Sequence, residues 1–125
     1  MAGRNGGKME STSNNFWVGD ICYLLSKIIS PKNFTGHVFW IEMSRHEWFQ
    51  NGERHRDDGP AVIYADGTQF WYQNGKRHRE DGPAITYTDG SKYWYKNGER
   101  HREDGPAVIR PDGRQEWWKN GKYIK

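Results

Sequence analysis

The sequence predicts a mostly β protein: a thin, aromatic-rich antiparallel sheet built from 23-residue β-hairpin repeats, with a short N-terminal helix. Three observations carry this expectation. Glu47–Gln69, Phe70–Lys92 and Tyr93–Gln115 are the same 23-residue phrase without insertion or deletion, and a fourth copy runs from Glu116 to Lys125; a fixed period of this length is the mark of a stacked repeat architecture. Each full copy holds two turn dipeptides, Asn-Gly and Asp-Gly, between short runs rich in aromatic and β-branched residues, the pattern of consecutive hairpins. Only 34% of the residues are hydrophobic, yet there are seven Trp and seven Tyr, a composition for a thin sheet and not for a thick aliphatic interior.

At 125 residues the chain is one domain. Nineteen basic and 16 acidic residues leave a formal charge of +3, a mild excess that does not by itself point to a polyanionic partner. The single cysteine, Cys22, cannot close an intrachain disulfide and suits a reducing compartment. No run approaches the roughly 18 apolar residues of a membrane helix, and no charged-then-apolar leader precedes residue 16. The expected location is therefore the cytoplasm.

Taken in order, residues 1–15 are Gly, Asn, Ser and charge, a composition that predicts a disordered tail. Residues 16–46 read as a helix followed by a capping unit. Ile21, Leu24, Leu25, Ile28 and Ile29 fall at i, i+3, i+4, i+7 and i+8 on one helical face, with Asp20 as a cap and Ser30-Pro31 as a stop. A strand over Phe16 to Leu25 is the rival reading, since Ile, Tyr, Val and Trp are also present; the helix is preferred because its spacing persists through Ile29. Gly36 and Trp40 stand 23 residues before Gly59 and Ile63, so Val38–His46 reads as a decayed half repeat that caps the first full one.

Residues 47–125 are the repeat sheet, in units 47–69, 70–92, 93–115 and 116–125. A type I′ turn at Asn74-Gly75 pairs Gln73 with Lys76, Tyr72 with Arg77, Trp71 with His78 and Phe70 with Arg79. The same loop pairs Glu47 with Arg56 and Glu116 with Lys125, so an acid stands opposite a base wherever the aromatic is replaced. A two-residue loop at Asp89-Gly90 sets Ile85 opposite Trp94 and Ala84 opposite Tyr95. Alternation then divides the residues between two faces. One carries Val62, Trp71, His78, Ile85, Trp94, His101, Val108, Trp117 and Ile124, and is expected to be buried under the helix or a partner. The other carries Phe70, Tyr72, Arg77 and Arg79.

Trp71-Tyr72, Asn74-Gly75-Lys76-Arg77-His78 and Asp89-Gly90, recurring between Glu47 and Lys125, resemble the MORN repeat. The likeness is greatest to variant repeats of the H-R-E-D-G-P-A type found in bacterial, phage and large-virus proteins. The chain departs from the family where Arg79 replaces the Gly after His, and where Glu80-Asp81-Gly82-Pro83 replaces a shorter step. The resemblance implies an open, elongated, single-layer antiparallel sheet with no catalysis of its own, serving as a scaffold, a protein-interaction surface or a contact to acidic lipid. In a phage or virus the natural use of such a surface is to block a host protein.

The residues themselves give little to an enzyme. His55, His78 and His101 stand about 10 Å apart, two strands per repeat, too far to share a metal whose bonds are about 2 Å, and Ile124 takes the same place in the fourth copy. His55-Arg56-Asp57 imitates the start of a kinase catalytic loop but lacks its downstream Asn. Asp58, Asp81 and Asp104 precede Gly-Pro and read as turn residues. The expectation is no catalytic residue, no metal and no cofactor. What stands out is a row of Arg beside aromatic rings: Phe49, Arg54, Arg56, Tyr72, Arg77, Arg79, Tyr95, Arg100 and Arg102. Internal stacking explains such a row at about 0.5–1 kcal/mol per exposed pair, and the same residue types dominate protein interfaces. The expected partner is another protein or a second copy. Single-stranded nucleic acid or a nucleotide is the alternative, with Arg for phosphate and Tyr for bases, and an acidic membrane is a third, weaker one.

Overall fold

The computed structural model describes residues 15–24 and 33–125. Asn15–Val18 (β1) and Ile21–Leu24 (β2) form an antiparallel hairpin, with Trp17 opposite Cys22 and Val18 opposite Ile21. This corrects the expected N-terminal helix: residues 16–24 are strand and turn, and the rest of that predicted helix lies outside the described residues. Gly19-Asp20 is a two-residue hairpin loop, with Gly19 at φ +61°. Cys22 and Leu24 face the core while Ile21 and Tyr23 are only half-buried, so a period of two overrides the helical spacing.

Gly36–Trp40 (β3) lies parallel to β2 and antiparallel to Arg45–Gln50 (β4). Here a conventional core forms from Cys22, Leu24, Phe34, Val38 and Trp40, with Trp17 and Phe49 packed against it. Beyond β4 the chain changes character, and every strand is two residues long. They are Glu53–Arg54 (β5), Val62–Ile63 (β6), Gln69–Phe70 (β7), Tyr72–Gln73 (β8), Lys76–Arg77 (β9), Ile85–Thr86 (β10), Lys92–Tyr93 (β11), Tyr95–Lys96 (β12), Glu99–Arg100 (β13), Val108–Ile109 (β14), Gln115–Glu116 (β15), Trp118–Lys119 (β16) and Lys122–Tyr123 (β17).

These strands make two columns. The first is a single sheet in the order β1-β2-β3-β4-β6-β7-β10-β11-β14-β15, antiparallel throughout except for β2–β3. The second is a series of ribbons, β8–β9, β12–β13 and β16–β17, with β5 on β4 as the first member. Two backbone hydrogen bonds tie each ribbon to the next. Gly75, Gly98 and Gly121 N–H donate to the carbonyls of Arg54, Arg77 and Arg100 at 2.9, 2.8 and 3.0 Å. Arg56, Arg79 and Arg102 N–H donate to Tyr72, Tyr95 and Trp118, each at 3.2 Å.

The Asn-Gly turns form as expected. Asn74 and Gly75 have φ of 51° and 78°, the two left-handed positions of a type I′ turn, and Tyr72 faces Arg77 while Gln73 faces Lys76. The Asp-Gly turns do not. Only the glycine is left-handed, Gly90 at φ +94°, and Asp89 accepts from the Ser91 N–H at 2.9 Å. Tyr87 N–H donates to the Ser91 carbonyl, and Gly90 N–H to the Tyr87 carbonyl. The loop is thus Thr88-Asp89-Gly90, three residues ending in a left-handed glycine. The register moves by one, so Ile85 stands opposite Tyr93 and not Trp94.

That shift, with the bend between β7 and β8, also revises the two faces. Glu47, Val62, Phe70, Ile85, Tyr93, Val108 and Glu116 are successive partners across the sheet and share one side of it. The ribbon tyrosines fold onto this front face: Tyr72 packs with Ala61 and Val62, and Tyr95 with Ala84 and Ile85. Trp71 and His78 do line one groove together, on the outer corner of the repeat. The aliphatic residues expected beside them face the ribbon tyrosines instead.

Candidate functional site

Most of the repeated phrase H-R-E-D-G-P is used up by the scaffold. His78 Nδ1 accepts from the backbone N–H of Asn97 in the next repeat at 3.0 Å, which puts the ring proton on Nε2, where it is donated to Glu80. His55 does the same with Asn74 and Asp57, and His101 with Asn120 and Glu103. Each ring is a latch between consecutive copies. Ile124 takes the same place in the fourth copy and has no ring nitrogen to accept with. The sequence had suggested only packing beside Trp; the donor, a backbone N–H 19 residues downstream, becomes visible once the repeats are stacked.

The second arginine of each copy is equally occupied. Arg79 lies 3.8 Å from the centroid of Trp71, ion-pairs with Asp81 at 2.9 Å and donates to the Pro83 carbonyl at 3.2 Å. Arg56 over Trp48 and Arg102 over Trp94 repeat this at 3.8 and 4.0 Å. A Cβ at Gly82 would sit 2.9 Å from the Arg79 guanidinium carbon, so any side chain here would push the guanidinium from its seat. The expected grouping of Arg56, Arg79 and Arg102 with the tyrosines is therefore corrected: they stack on the tryptophans of the outer corner.

The first arginine of each copy belongs to a different row. Arg54 lies over Tyr72 at 5.4 Å, Arg77 over Tyr95 at 5.4 Å and Phe70 at 5.7 Å, and Arg100 over Trp118 at 4.8 Å and Tyr93 at 5.5 Å. Phe49 is opposite Arg54 and packs into the N-terminal core. Beside this row the sheet carries edge-to-face rings that the sequence reading did not single out: Tyr64–Phe70 at 5.5 Å, Phe70–Tyr87 at 5.9 Å and Tyr87–Tyr93 at 5.8 Å. Two-residue register from Val62, Phe70, Ile85 and Tyr93 puts them on the front face, a signal that required the correct turn length.

Carboxylates close the row at both ends. Glu47, 1% exposed, takes Arg54 at 2.8 Å and Arg45 at 3.6 Å. Glu116 takes Arg110 at 2.8 Å and accepts from Trp118 at 2.9 Å; those hydrogen bonds hold its carboxyl below the usual range. The expected pairs Glu47–Arg56 and Glu116–Lys125 are thus replaced by Glu47–Arg54 and Glu116–Arg110, because the chain bends out of the sheet before Arg56 and Lys125; Lys125 lies over Trp117 instead. Among the described residues no carboxylate ion-pairs with Arg77 or Arg100. Arg77 is exposed and Arg100 half-exposed, so two stacked guanidiniums with no carboxylate in contact stand in the middle of the front face, Glu116 acting on Arg100 only at longer range.

A second cluster sits at the start of the repeats. His37 Nε2 and His46 Nδ1 are 2.7 Å apart, and His37 stacks on Trp48 at 4.0 Å. Burial, then His46 and Arg56, push the His37 ring down to about 4. Two neutral rings facing a guanidinium suit packing. Among the described residues no group of three or more His, Cys, Asp or Glu is placed to hold a metal, and no helix is long and apolar enough to cross a membrane.

The fold and these rows define a β-hairpin repeat protein whose Arg–aromatic ladders run from copy to copy. No family model, curated protein or solved structure matches the chain.

Proposed function

We propose that this chain is a non-enzymatic, MORN-like repeat protein with an elongated single-layer sheet. Its front face, the Arg77–Arg100 strip with Phe70, Tyr87 and Tyr93, recognises another protein. One observation carries the reading. Among the described residues every other arginine (Arg45, Arg54, Arg56, Arg79, Arg102, Arg110 and Arg114) ion-pairs with a carboxylate, while these two guanidiniums hold their rings without one. Tyr and Arg in such a setting are the residues that supply interface energy. The histidines, the obvious candidates for chemistry, commit both ring nitrogens to the scaffold, which argues for recognition over reaction.

The test is affinity capture from the native source beside an Arg77→Glu, Arg100→Glu double variant. A protein retained by the parent and lost by the variant supports the reading; identical captured species overturn it. Alternation of Arg with aromatic rings also suits single-stranded nucleic acid. That reading predicts retention on an oligonucleotide that falls steeply with salt, and flat salt dependence rejects it.

A further inference from the structure

Resting on that reading, we infer that the partner presents an acidic α-helix, laid across the repeats so that one carboxylate in each seven residues meets Arg77 and then Arg100. Charge is the first argument. Arg45 and Arg54 are held by Glu47, and Arg110 by Glu116, so the unmatched positive charge of the front face lies at Arg77 and Arg100. The outer corner is its opposite: Glu80 and Asp81 are 72% and 82% exposed, and Glu103 and Asp104 71% and 89%. An anionic partner is thus drawn to one side of the sheet and turned away from the other.

Spacing is the second argument, and it selects the partner's shape. Arg77 and Arg100 occupy the same place in neighbouring repeats, two strands and about 10 Å apart. Seven residues of α-helix rise about 10.5 Å and return to within about 20° of the same face. An extended strand cannot match this step, because its same-face residues come at about 6.7 or 13 Å. Between the two guanidiniums Tyr87, 37% exposed, touches Phe70 and Tyr93 and offers a ring for the apolar residues of such a helix. Burial, with Tyr93 beside it, raises the Tyr87 hydroxyl above its ordinary range, so it meets the helix neutral.

The probe is a synthetic amphipathic peptide of three heptads with Glu at one position of each. Its controls are a peptide of the same composition with Glu at irregular spacing, and an oligothymidine strand. Binding is read by titration calorimetry against the full chain, the Arg77→Gln, Arg100→Gln variant and the Arg77→Glu, Arg100→Glu variant. We expect the heptad peptide to bind about tenfold more tightly than its control, to lose about tenfold with the Gln pair, and to gain helical circular dichroism when bound. A Lys-for-Glu heptad peptide should bind the Glu variant in preference to the parent, which separates lost recognition from lost folding. Equal binding of the two acidic peptides, or failure of the charge-swapped pair, overturns the helix. Tighter binding of oligothymidine overturns both the helix and the protein-partner reading. A captured native protein that needs Arg77 and Arg100 but binds through an extended segment leaves the interaction surface standing and removes only the helix.

Discussion

The two halves of this molecule reach order by different means. Around β1 to β4, strands of four to six residues enclose Cys22, Phe34, Val38 and Trp40, each at most 1% exposed. From β5 onward no strand exceeds two residues, and a repeat buries little more than an alanine, an aliphatic residue and a tyrosine, as with Ala84, Ile85 and Tyr95. What the repeats lack in enclosed volume they replace with connections to the next copy: a histidine latch, backbone bonds between ribbons, and guanidiniums over rings. The first region has a core in the ordinary sense, and the second has a succession of interfaces. In such arrays stability is carried by nearest-neighbour contacts and depends on a well-packed end unit.

The largest way to break the contrast is Trp40→Ala. Emptying a fully buried site of this size costs about 3–5 kcal/mol, and chemical denaturation should show the repeats losing their transition along with the N-terminal unit. Independent unfolding of the two would refute the dependence. Next is Glu47→Ala, at the junction. Removing the acid leaves Arg45 and Arg54 without their counter-ion, at about 2–3 kcal/mol, below the full cost of a broken buried pair because Arg54 is about a third exposed. A midpoint unchanged in denaturant would contradict the pairing.

Acid sharpens the comparison further. The His37 ring is held near 4 against an ordinary 6.5 by burial, His46 and Arg56, and His46 is lowered by burial and Arg56. Between those values the unfolded chain binds more protons than the folded one, so stability falls as pH drops from about 6.5 towards 4. The carboxylates of Asp66, Asp89 and Asp112 are lowered by hydrogen bonds at their turns; their contribution is present above the ordinary carboxylate range and is lost at still lower pH. His37→Gln should flatten the upper part of the profile and leave the lower. An unaltered profile would remove His37 from the account. Smallest is His78→Ala, which deletes one latch at about 1 kcal/mol; amide exchange should quicken at Asn97 and in the flanking ribbons, with the N-terminal strands unmoved.

Much of the fold was legible because repetition supplies its own controls. The period, the Asn-Gly turns and the Tyr72–Arg77 register followed from residue types at fixed intervals. The Asp-Gly turn did not, although it looks similar. Asparagine enters the left-handed region readily, so both residues of Asn74-Gly75 do so. Asp89 instead uses its carboxylate to accept from the Ser91 N–H, leaving only the glycine left-handed and adding a residue to the loop. That one residue moved Ile85 from Trp94 to Tyr93 and hid the front-face rings Tyr64, Phe70, Tyr87 and Tyr93. The N-terminal hairpin was missed because Ile21, Leu24 and Leu25 satisfy helical spacing; Val18-Gly19-Asp20-Ile21 held the hairpin signal. Of the candidate site residues, Arg77 and Arg100 remain available. Arg56, Arg79 and Arg102 do not, since their proline carbonyl and tryptophan partners come from the fold of the motif around Gly82 and its equivalents.

His55, His78 and His101 each reach forward to a turn that the following unit supplies in full. Inserting one further 23-residue unit would therefore bring its own donor turn, its own guanidinium seat and its own pair of hairpins, and disturb nothing on either flank. Reach becomes an adjustable dimension, lengthened in increments of about 10 Å, and a descendant or a designer could match a longer target by duplication alone.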